Sequence, residues 1–335
     1  MLAYPFSLAL FNTFKLDVNC NSFISLDNIN QLSEVSSAIK KAPQHLILGG
    51  GSNILFTKNY DGLVIKNNLK GITLINEDTQ HIYLQAMAGE WWQDFVLHCV
   101  NNNYGGVENL SLIPGTVGAT PIQNIGAYGV EVKNTIHSVT FFDIETEQLH
   151  TYTNAQCEFG YRESIFKHTL KNKIIITAVV FKLTKHPQLN TKYGVIAEQL
   201  IAMHITTPTI KDVSDAVIAI RQSKLPNPAI TGNAGSFFKN PVVTHAVFDT
   251  LITTHPTLSH YADVKGVKLA AGWLIEQCGL KGYTHNGAAV HSKQALVLIN
   301  ANNATGTDVL ALATHVQQTV YAKFGVQLEM EVNVL

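Results

Sequence analysis

The sequence predicts a protein of two or three domains that mixes β-strands with α-helices. The chain has 335 residues, which is longer than a domain with a single hydrophobic core usually is. Hydrophobic residues make up 46% of the chain. Short apolar runs typical of buried strands recur along the chain, and segment 212–223 has the apolar spacing of an amphipathic helix. The segment 225–228, LPNP, stops that helix. We therefore expect a domain junction there.

Apolar periodicity locates the individual elements. Apolar runs predict strands at 45–48, 63–65, 72–75, 82–86, 139–142, 149–152, 174–183 and 295–299. The two segments 139–142 and 149–152 are expected to form a hairpin. Helical spacing predicts helices at 91–101, 212–223 and 269–278, and a last helix that carries Val309, Ala313, Val316 and Val320 and stops at Gly325.

Two further predictions concern a turn and the end of the chain. The segment 60–62, Tyr-Asp-Gly, is typical of a turn between neighbouring strands. Apolar and polar residues alternate strictly over 326–335, which predicts a final strand. A carboxylate on such a strand either lies in solvent or is delivered into a site. One face would carry Leu328, Met330, Val332 and Val334, and the other Glu329, Glu331 and Asn333.

Composition argues against several classes of protein. Basic residues number 23 and acidic residues 24, so no excess charge attracts nucleic acid or an anionic membrane surface. No apolar run reaches the roughly 18 residues needed to cross a bilayer. The N-terminal segment has no basic residue before its apolar part, so we expect no signal peptide.

The cysteines and histidines indicate a reducing compartment and no metal centre. The 4 cysteines are scattered, with no C-x-x-C pair. Two of them, Cys99 and Cys278, lie in apolar helical patterns that are typical of buried thiols. The 14 histidines form no H-E-x-x-H or similar pair. We therefore expect a cytoplasmic protein without a metal site.

The most unusual stretch is 111–129, SLIPGTVGATPIQNIGAYG, which combines glycines and prolines with almost no charge. This composition fits neither a helix nor a strand. Glycines allow a close approach of the backbone to a ligand, and their N–H groups can form an anion-accepting surface. Gln123 and Asn124 add amides that both donate and accept hydrogen bonds. The stretch is either a loop laid along a phosphate-bearing cofactor or a structural cluster of turns.

A second glycine-rich loop, 49–53 (GGGSN), follows the predicted strand at 45–48. It is not a phosphate-binding P-loop, because no Lys and Ser/Thr follow its last glycine. It is not a Rossmann fingerprint either, because Ile54 occupies the position of the third glycine and strands rather than a helix follow. The loop either cradles phosphate within another fold or makes a tight turn.

Two side chains in unusual surroundings are candidates for chemistry. Arg162 is a fixed cation beside Tyr161, suited to hold an anion or a developing oxyanion; a surface arginine is the alternative. Ser236 lies between a glycine and two phenylalanines and could donate a proton. It is not part of a G-x-S-x-G elbow, which weakens a hydrolase assignment.

Taken in order, these motifs resemble the UDP-N-acetylenolpyruvoylglucosamine reductase family, the flavoenzymes of peptidoglycan precursor synthesis. The resemblance runs from Asn12 to Glu331. The segment around Tyr193 resembles the longer subtype of the family, which has a tyrosine loop. The motifs that carry the resemblance are LGGGSNILF, SLIPGTVGATPIQNIGAYG, GYRESIFK, RQSKLPNP, GNAGSFFKNP and LEMEV.

The resemblance implies an α+β protein in three parts. Residues 1–70 would form the first FAD-binding subdomain, and 71–220 with 323–335 the second, in an FAD-binding fold of the vanillyl-alcohol-oxidase (PCMH) type. Residues 221–322 would form an α+β substrate-binding domain. We expect a monomer without membrane insertion and without a nucleic-acid partner.

The resemblance also implies a reaction. The enolpyruvyl group of UDP-N-acetylglucosamine enolpyruvate would be reduced to give UDP-N-acetylmuramate, with NADPH as hydride donor and non-covalent FAD as carrier. Arg162 and Glu331 would stabilise the charge that develops next to the substrate carboxylate. Ser236 would give a proton to the second carbon.

The family's binding residues are carried over onto matching positions. Those assigned to the cofactor are Gly49, Gly50, Gly51, Ser52, Asn53, Pro114, Gly115, Gly118, Ala119, Thr120, Gln123, Asn124, Gly126 and Arg221. Those assigned to the UDP-sugar are Tyr161, Tyr193, Lys224, Asn240 and Gln294, with Lys224 facing the diphosphate as a point charge.

One departure and two alternatives accompany this assignment. Many relatives have a basic residue two positions after the catalytic glutamate, where this chain has Asn333. An FAD-dependent oxidase of the same fold is one alternative, although neither glycine-rich loop holds a His or Cys for a covalent flavin. A catalytically inactive UDP-sugar-binding protein is the other. The joint presence of Arg162, Ser236 and Glu331 argues against it.

Overall fold

The computed structural model describes residues 5–335. The first four residues, which begin both the expected subdomain 1–70 and the segment tested for a signal peptide, lie outside this range. The α-helices are α1 (Leu32–Lys41), α2 (Trp92–Asn101), α3 (Gly194–Ala202), α4 (Ile210–Lys224), α5 (His245–Thr254), α6 (Ala271–Gln277) and α7 (Gly306–Phe324). The strands are β1 (Phe6–Ser7), β2 (Asn19–Leu26), β3 (His45–Leu48), β4 (Ile54–Leu55), β5 (Tyr60–Asn67), β6 (Ile72–Glu77), β7 (His81–Met87), β8 (Gly126–Ala127), β9 (Val130–Glu131), β10 (Ile136–Asp143), β11 (Leu149–Thr153), β12 (Ile174–Thr184), β13 (Gly232–Ser236), β14 (Val242–Val243), β15 (His260–Asp263), β16 (Gly266–Leu269), β17 (Thr284–His285), β18 (Ala288–Val290), β19 (Val297–Asn300) and β20 (Asn333–Val334).

The chain divides into two compact units. The first unit consists of residues 5–6, Cys20–Gly50 and Asp61–Ser223. The second consists of Ser7–Asn19, Gly51–Tyr60 and Lys224–Leu335. The chain therefore passes from the first unit to the second at the end of α4.

The first unit is built on an antiparallel sheet ordered β11-β10-β12-β7-β6. The helix α2 contributes Trp92 and Phe95 to the core beside this sheet, where the ring centroid of Phe95 lies 4.5 Å from that of Phe181 on β12. Full burial of such a side chain stabilises the fold by about 1.5–3 kcal/mol. The predicted helix 91–101, the hairpin 139–142/149–152 and the long strand at 174–183 are thereby confirmed.

A second sheet and a helix pair complete the first unit. The sheet is ordered β1-β2-β5-β3, and α1 packs on it through Leu32, Val35 and Ile39. The predicted helix 212–223 is confirmed as α4, whose apolar stripe of Val213, Ala216, Val217 and Ile220 is buried together with α3. The partly buried Tyr128 packs against the same cluster, so the helix pair borders the glycine-rich stretch 111–129.

The second unit contains three sheets and the longest helix in the described residues. One sheet is ordered β13-β19-β18-β17, another β14-β16-β15, and β20 pairs in parallel with β4. The helix α7 begins with a capping box between Thr305 and Asp308 and ends at Gly325, whose φ of 65° lies in the left-handed region. This end confirms the predicted stop at Gly325. None of the helices in residues 5–335 is long and apolar enough to cross a membrane.

Three local predictions are wrong, each because longer-range pairing overrides the local pattern. The predicted turn 60–62 lies within β5, because β5 is an interior strand bonded to neighbours on both sides. Leu269, predicted in a helix, belongs to β16, where its amide donates to the Pro241 carbonyl at 2.8 Å. Helix α6 begins only at Ala271.

The third correction concerns the predicted strand at 326–335, of which only Asn333–Val334 is a strand. Before that point the backbone pairs with the chain after β13. The Lys239 amide donates to the Glu329 carbonyl at 2.9 Å, and the Glu331 amide donates to the Phe237 carbonyl at 2.8 Å. Leu328 and Val332 are buried as the alternation predicts, whereas Val334 is 38% exposed.

Candidate active site

The two glycine-rich loops, far apart in sequence, lie against each other in the first unit. A Cβ atom added to Gly49 would lie 2.6 Å from the Thr116 hydroxyl oxygen. One added to Gly50 would lie 2.9 Å from the Gly115 Cα. Any side chain at these positions would force the loops apart, so glycine is required there. The structure thereby brings Gly49 and Gly50 beside Gly115.

The middle of the stretch 111–129 is fixed by its own packing. A 3-10 helix, Val117–Ala119, places Gly118 so tightly that an added Cβ would lie 2.6 Å from the Ala88 Cβ. The hydroxyl of Thr120 donates to the Val117 carbonyl at 2.8 Å. Gly118 and Thr120 therefore shape the loop, while Pro114 is exposed and Ala119 and Gln123 are partly exposed.

Arg162 is held over the last part of this loop. Its Nη2 donates to the Gly126 carbonyl at 2.9 Å, and the Asn124 side chain donates to the Gly160 carbonyl at the same distance. Arg162 has a φ of 56°, which is uncommon for a non-glycine residue and is often associated with functional sites. The Tyr161 ring lies 5.7 Å from the guanidinium. Arg162, Tyr161, Asn124 and Gly126 thus form one local arrangement.

A second arginine, Arg221 at the end of α4, lies close to the same loop. Its Nε donates to the Leu112 carbonyl at 3.2 Å, and its side chain lies beside the Tyr128 phenol. Burial lowers the pKa of Arg221, Tyr128 raises it, and the nearby charge of Arg162 lowers it. Within residues 5–335 no carboxylate pairs with Arg221. Such a partly buried cation is suited to an anionic or electron-rich ligand group.

Tyr128 lies beside two predicted site residues, although its own sequence did not single it out. Its ring lies 5.7 Å from that of Tyr193, in an edge-to-face arrangement, and its φ of 50° is positive. The available signal was its place in the sequence GAYG at the end of the stretch 111–129. Tyr128 connects Tyr193, predicted to bind the sugar nucleotide, with Arg221, predicted to bind the cofactor.

In the second unit, Ser236 and Glu331 lie on neighbouring backbone segments. Ser236 ends β13 and is exposed. The Glu331 amide bonds to the carbonyl of Phe237, the residue that follows Ser236. The Asn53 side chain donates to the Glu331 carbonyl at 3.2 Å. The second unit therefore brings together three predicted site residues, two assigned to catalysis and one to the cofactor.

The remaining predicted residues of the second unit are spread over several places. Asn240 accepts a hydrogen bond from the Ala271 amide at 3.0 Å, and the Gln294 Oε1 would lie 3.2 Å from a Cβ added to the next residue, Gly272. Both side chains are therefore near the start of α6. Gly51 packs so closely on the Phe11 carbonyl that no Cβ would fit. Lys224 is exposed, and Ser52 is partly exposed.

No group of three or more His, Cys, Asp or Glu side chains in residues 5–335 is arranged to hold a metal ion. The four cysteines in this range form no disulfide. Cys20, Cys99 and Cys157 are buried, and Cys278 is partly buried. Burial raises the pKa of the Cys157 thiol to about 12, so this side chain is a packing thiol and not a reactive one.

Comparison with known proteins decides the family. Residues 227–335 match the C-terminal domain of UDP-N-acetylenolpyruvoylglucosamine reductase, and residues 22–152 match an FAD binding domain. The chain is 49% identical over 332 residues to the UDP-N-acetylenolpyruvoylglucosamine reductase of Flavobacterium johnsoniae, covering 98% of each protein. The chain belongs to this reductase family. The reductase of Neisseria gonorrhoeae is 50% identical over 339 residues, covering 99% of this chain and 97% of the relative.

A solved structure of this reductase family supports the fold. The UDP-N-acetylenolpyruvylglucosamine reductase of Thermus caldophilus has 22% sequence identity and a TM-score of 0.70, covering 100% of this chain and 99% of the other. Together with the matched domains, it confirms the predicted fold class, a flavin-binding α+β fold joined to the reductase's C-terminal domain. The predicted family is confirmed by the relatives.

Proposed function

We propose that this chain reduces the enolpyruvyl group of UDP-N-acetylglucosamine enolpyruvate with NADPH, yielding UDP-N-acetylmuramate for peptidoglycan precursor synthesis. The observation that carries the proposal is the identity of about half the residues to reductases of this name over nearly the whole of both chains. The match of residues 22–152 to an FAD binding domain supplies the cofactor. In keeping with the scattered, unpaired cysteines, we assign this activity to the cytoplasm.

The first unit has features that fit FAD. The close contact of Gly49 and Gly50 with Thr116 and Gly115 leaves a bare backbone on both loops, where N–H groups can face a pyrophosphate. Arg221, which has no carboxylate partner in residues 5–335, is suited to the electron-rich edge of a flavin ring. When bound, FAD supplies a carrier that takes hydride from NADPH and gives it to the substrate. Neither loop contains a His or Cys, which agrees with non-covalent binding.

The chain's own groups act on the substrate as charge-stabilising and proton-donating residues. Negative charge builds next to the substrate carboxylate as the double bond is reduced. We propose that Arg162 and Glu331 stabilise that charge, because a fixed cation and an acid lower the barrier most where charge develops. We assign Ser236 as the proton donor to the second carbon, a role that needs a hydroxyl held in place. Its position at the end of β13, next to the segment bonded to Glu331, is consistent with such placement.

We assign the UDP-sugar to Tyr161, Tyr193, Lys224, Asn240 and Gln294. Lys224 is exposed and suits a diphosphate as a point charge. The side chains of Asn240 and Gln294 both lie near the start of α6 in the second unit. Tyr193 immediately precedes α3 and contacts Tyr128. On the basis of this tyrosine segment we propose that the chain belongs to the longer subtype of the family.

We further propose the three-part organisation and the monomeric state expected from the sequence. Residues 1–70 and 71–220 with 323–335 would hold FAD, and residues 221–322 would bind the UDP-sugar. Support comes from the matched C-terminal domain beginning at residue 227 and from the passage of the chain between units at the end of α4. Sedimentation equilibrium of the purified protein tests whether it is a monomer.

A visible spectrum of the purified protein without oxygen tests the function. A flavin band should bleach when NADPH is added and recover only when the UDP-linked enolpyruvyl sugar follows. Bleaching without recovery would contradict the proposed substrate and favour the alternative of a catalytically inactive UDP-sugar-binding protein. Recovery in air at a rate that matches steady NADPH consumption would favour an oxidase. If the protein cannot be reconstituted with FAD, the cofactor proposal fails.

A further inference from the structure

An exposed tryptophan lies near two lysines in the first unit. The Trp91 side chain is 46% exposed, although it immediately precedes the buried helix α2. The Lys66 Nζ lies 5.8 Å and the Lys70 Nζ 5.9 Å from the centre of the Trp91 ring. We call these three residues the Trp91 ledge. An exposed indole flanked by two ammonium groups is an unusual surface, because large aromatic side chains are costly to leave in water.

The Trp91 ledge directly adjoins both glycine-rich loops. A Cβ added to Gly50 would lie 3.0 Å from the Cζ3 of the indole. Trp91 also forms a backbone bridge with Thr116, and the amide of Trp92 donates to the Gly115 carbonyl at 3.0 Å. The indole therefore lies at the edge of the surface that the bare backbones of Gly50 and Gly115 create. A ligand whose phosphates rest on those loops would extend over this ring.

The charge of the Trp91 ledge is positive and only partly compensated. Lys70 bonds to the Gly89 carbonyl and lies 3.7 Å from the Glu90 carboxylate. Lys66 bonds to the Asn67 carbonyl at 3.2 Å, and no carboxylate in residues 5–335 forms an ion pair with it. Burial lowers the pKa of Lys66, Lys70 lowers it further, and Asp27 raises it. The ledge thus offers an aromatic face together with an excess of positive charge.

We propose that the Trp91 ledge binds the adenosine diphosphate part of FAD, with the indole against the adenine and the two ammonium groups toward the phosphates. This inference rests on the proposed function, since it assigns a subsite for the cofactor of that reaction. Indoles stack on bases of any kind because every base offers a π-face. Lysines act on phosphates as point charges that need no fixed geometry.

Release of FAD from the holoenzyme tests the proposal without any measurement of turnover. The fluorescence of free flavin is followed as the holoenzyme is diluted, which gives the dissociation constant. Trp91→Ala should raise that constant about tenfold, the loss expected for one base–aromatic contact. Trp91→Phe, which keeps a ring, should recover most of the affinity. Thermal unfolding identifies any variant that fails to fold. If Trp91→Ala does not fold, the FAD dissociation constant of Trp91→Phe is compared with that of the wild type instead.

The lysines provide a second, independent arm. Lys66→Met should raise the FAD dissociation constant about two- to fivefold, as for a half-exposed ion pair. The matched control is Lys41→Met, an exposed lysine at the end of α1 that should leave the constant unchanged. The visible spectrum of the bound flavin should stay as in wild type for every variant, because the ledge contacts the other end of the cofactor.

The outcomes separate this proposal from the function on which it rests. If the wild-type protein binds FAD and Trp91→Ala has the same FAD dissociation constant, the ledge assignment is overturned and the reductase function stands. A shifted flavin spectrum in Trp91→Ala would also overturn it, since the ring end would then be perturbed. A raised KM for NADPH with unchanged FAD release would assign the ledge to NADPH instead. If wild-type protein binds no FAD at all, the proposed function itself fails.

Discussion

The Arg221 guanidinium lies beside the Tyr128 phenol within the first unit, and each side chain shifts the pKa of the other. Burial raises the pKa of Tyr128, and the positive charge of Arg221 lowers it in part. Arg221 also bonds to the Leu112 carbonyl, so one arginine at the end of α4 contacts both halves of the glycine-rich stretch 111–129. The shape of this stretch therefore depends on a helix that lies far along the chain.

Tyr128→Phe should destabilise the protein. The variant removes the phenol oxygen that lies beside the partly buried guanidinium of Arg221. We expect the free energy of unfolding to fall by about 1–3 kcal/mol, measured by urea denaturation. Tyr321→Phe, on the exposed face of α7, is the control and should change stability by less than about 0.5 kcal/mol. Equal stability of the two variants would show that the Tyr128 hydroxyl contributes nothing.

Gly50→Ala should lower the FAD content of the purified protein. The new methyl group would lie 2.9 Å from the Gly115 Cα and 3.0 Å from the Trp91 ring, so the two loops must separate. Overpacking of this kind costs about 1–3 kcal/mol. The flavin-to-protein absorbance ratio and the urea midpoint should both fall.

Gly194→Ala is the matched control for that variant. Nothing lies within 4 Å of a Cβ at Gly194, which is the first residue of α3. Since alanine favours the helix, the control should be neutral or stabilising by up to about 1 kcal/mol. If both alanine variants retain full flavin, the contact between the loops is not needed for cofactor binding.

Elements with a strong apolar period were predictable from the sequence. In α2 and α4 the apolar residues recur every three or four positions, and the structure buries Phe95, Val96, Val213 and Val217 as this spacing requires. The glycine-rich stretch 111–129 was also predictable as a loop, because glycine and proline act locally. Its contact with Gly49 and Gly50 was not, because no local pattern encodes which distant loops meet.

The wrong predictions have the same cause. The alternation at 326–335 predicts buried positions correctly at Leu328 and Val332, but it does not indicate where the backbone finds its hydrogen bonds. The partner is the segment after β13, which breaks the strand before Asn333. The contacts of Tyr128 and Trp91 were not predicted for a related reason. Neither residue differs from its sequence neighbours in a way that indicates a contact. Only the fold brings Arg221 close to Tyr128, and the two lysines close to Trp91.

His45→Gln should reduce the fall in the free energy of unfolding that accompanies a drop to mildly acidic pH. Burial lowers the pKa of His45 below its ordinary value of 6.5, although a backbone hydrogen bond at Asn172 raises it in part. The folded protein therefore binds fewer protons than the unfolded chain below about pH 6.5, and the free energy of unfolding falls as the pH drops. The imidazole Nε2 is buried and has no hydrogen-bond partner in residues 5–335.

Urea denaturation at pH 7.5 and at lower pH measures this effect. The wild type should lose more stability between the two conditions than His45→Gln does. His98→Gln, an exposed position on α2, shows the effect of removing an exposed histidine. If His45→Gln and the wild type lose the same amount, protonation of His45 does not contribute to acid sensitivity.

Ser236→Ala should separate the two half-reactions. The hydroxyl is assigned only to proton donation in the second half-reaction, so bleaching of the flavin band by NADPH should keep its wild-type rate. Recovery of the band with the UDP-linked enolpyruvyl sugar should slow by about a hundredfold or more, as for loss of a general acid. Stopped-flow absorbance measures both rates, and Ser259→Ala, an exposed serine of the second unit, is the control. Equal slowing of both half-reactions would contradict the assigned role.

Glu331→Gln and Glu329→Gln form a matched pair, two residues apart on the same segment. The Glu329 side chain is 71% exposed and pairs with Lys239, whereas Glu331 is partly buried and its backbone bonds to Phe237 and Asn53. Glu331→Gln removes an acid assigned to the developing charge, so recovery of the flavin band with the sugar should slow about a hundredfold. Glu329→Gln removes an exposed ion pair worth at most about 1 kcal/mol and should leave that rate unchanged. The same stopped-flow experiment compares both variants. If they slow the reaction equally, the effect comes from disturbing the segment, and Glu331 has no specific role in the chemistry.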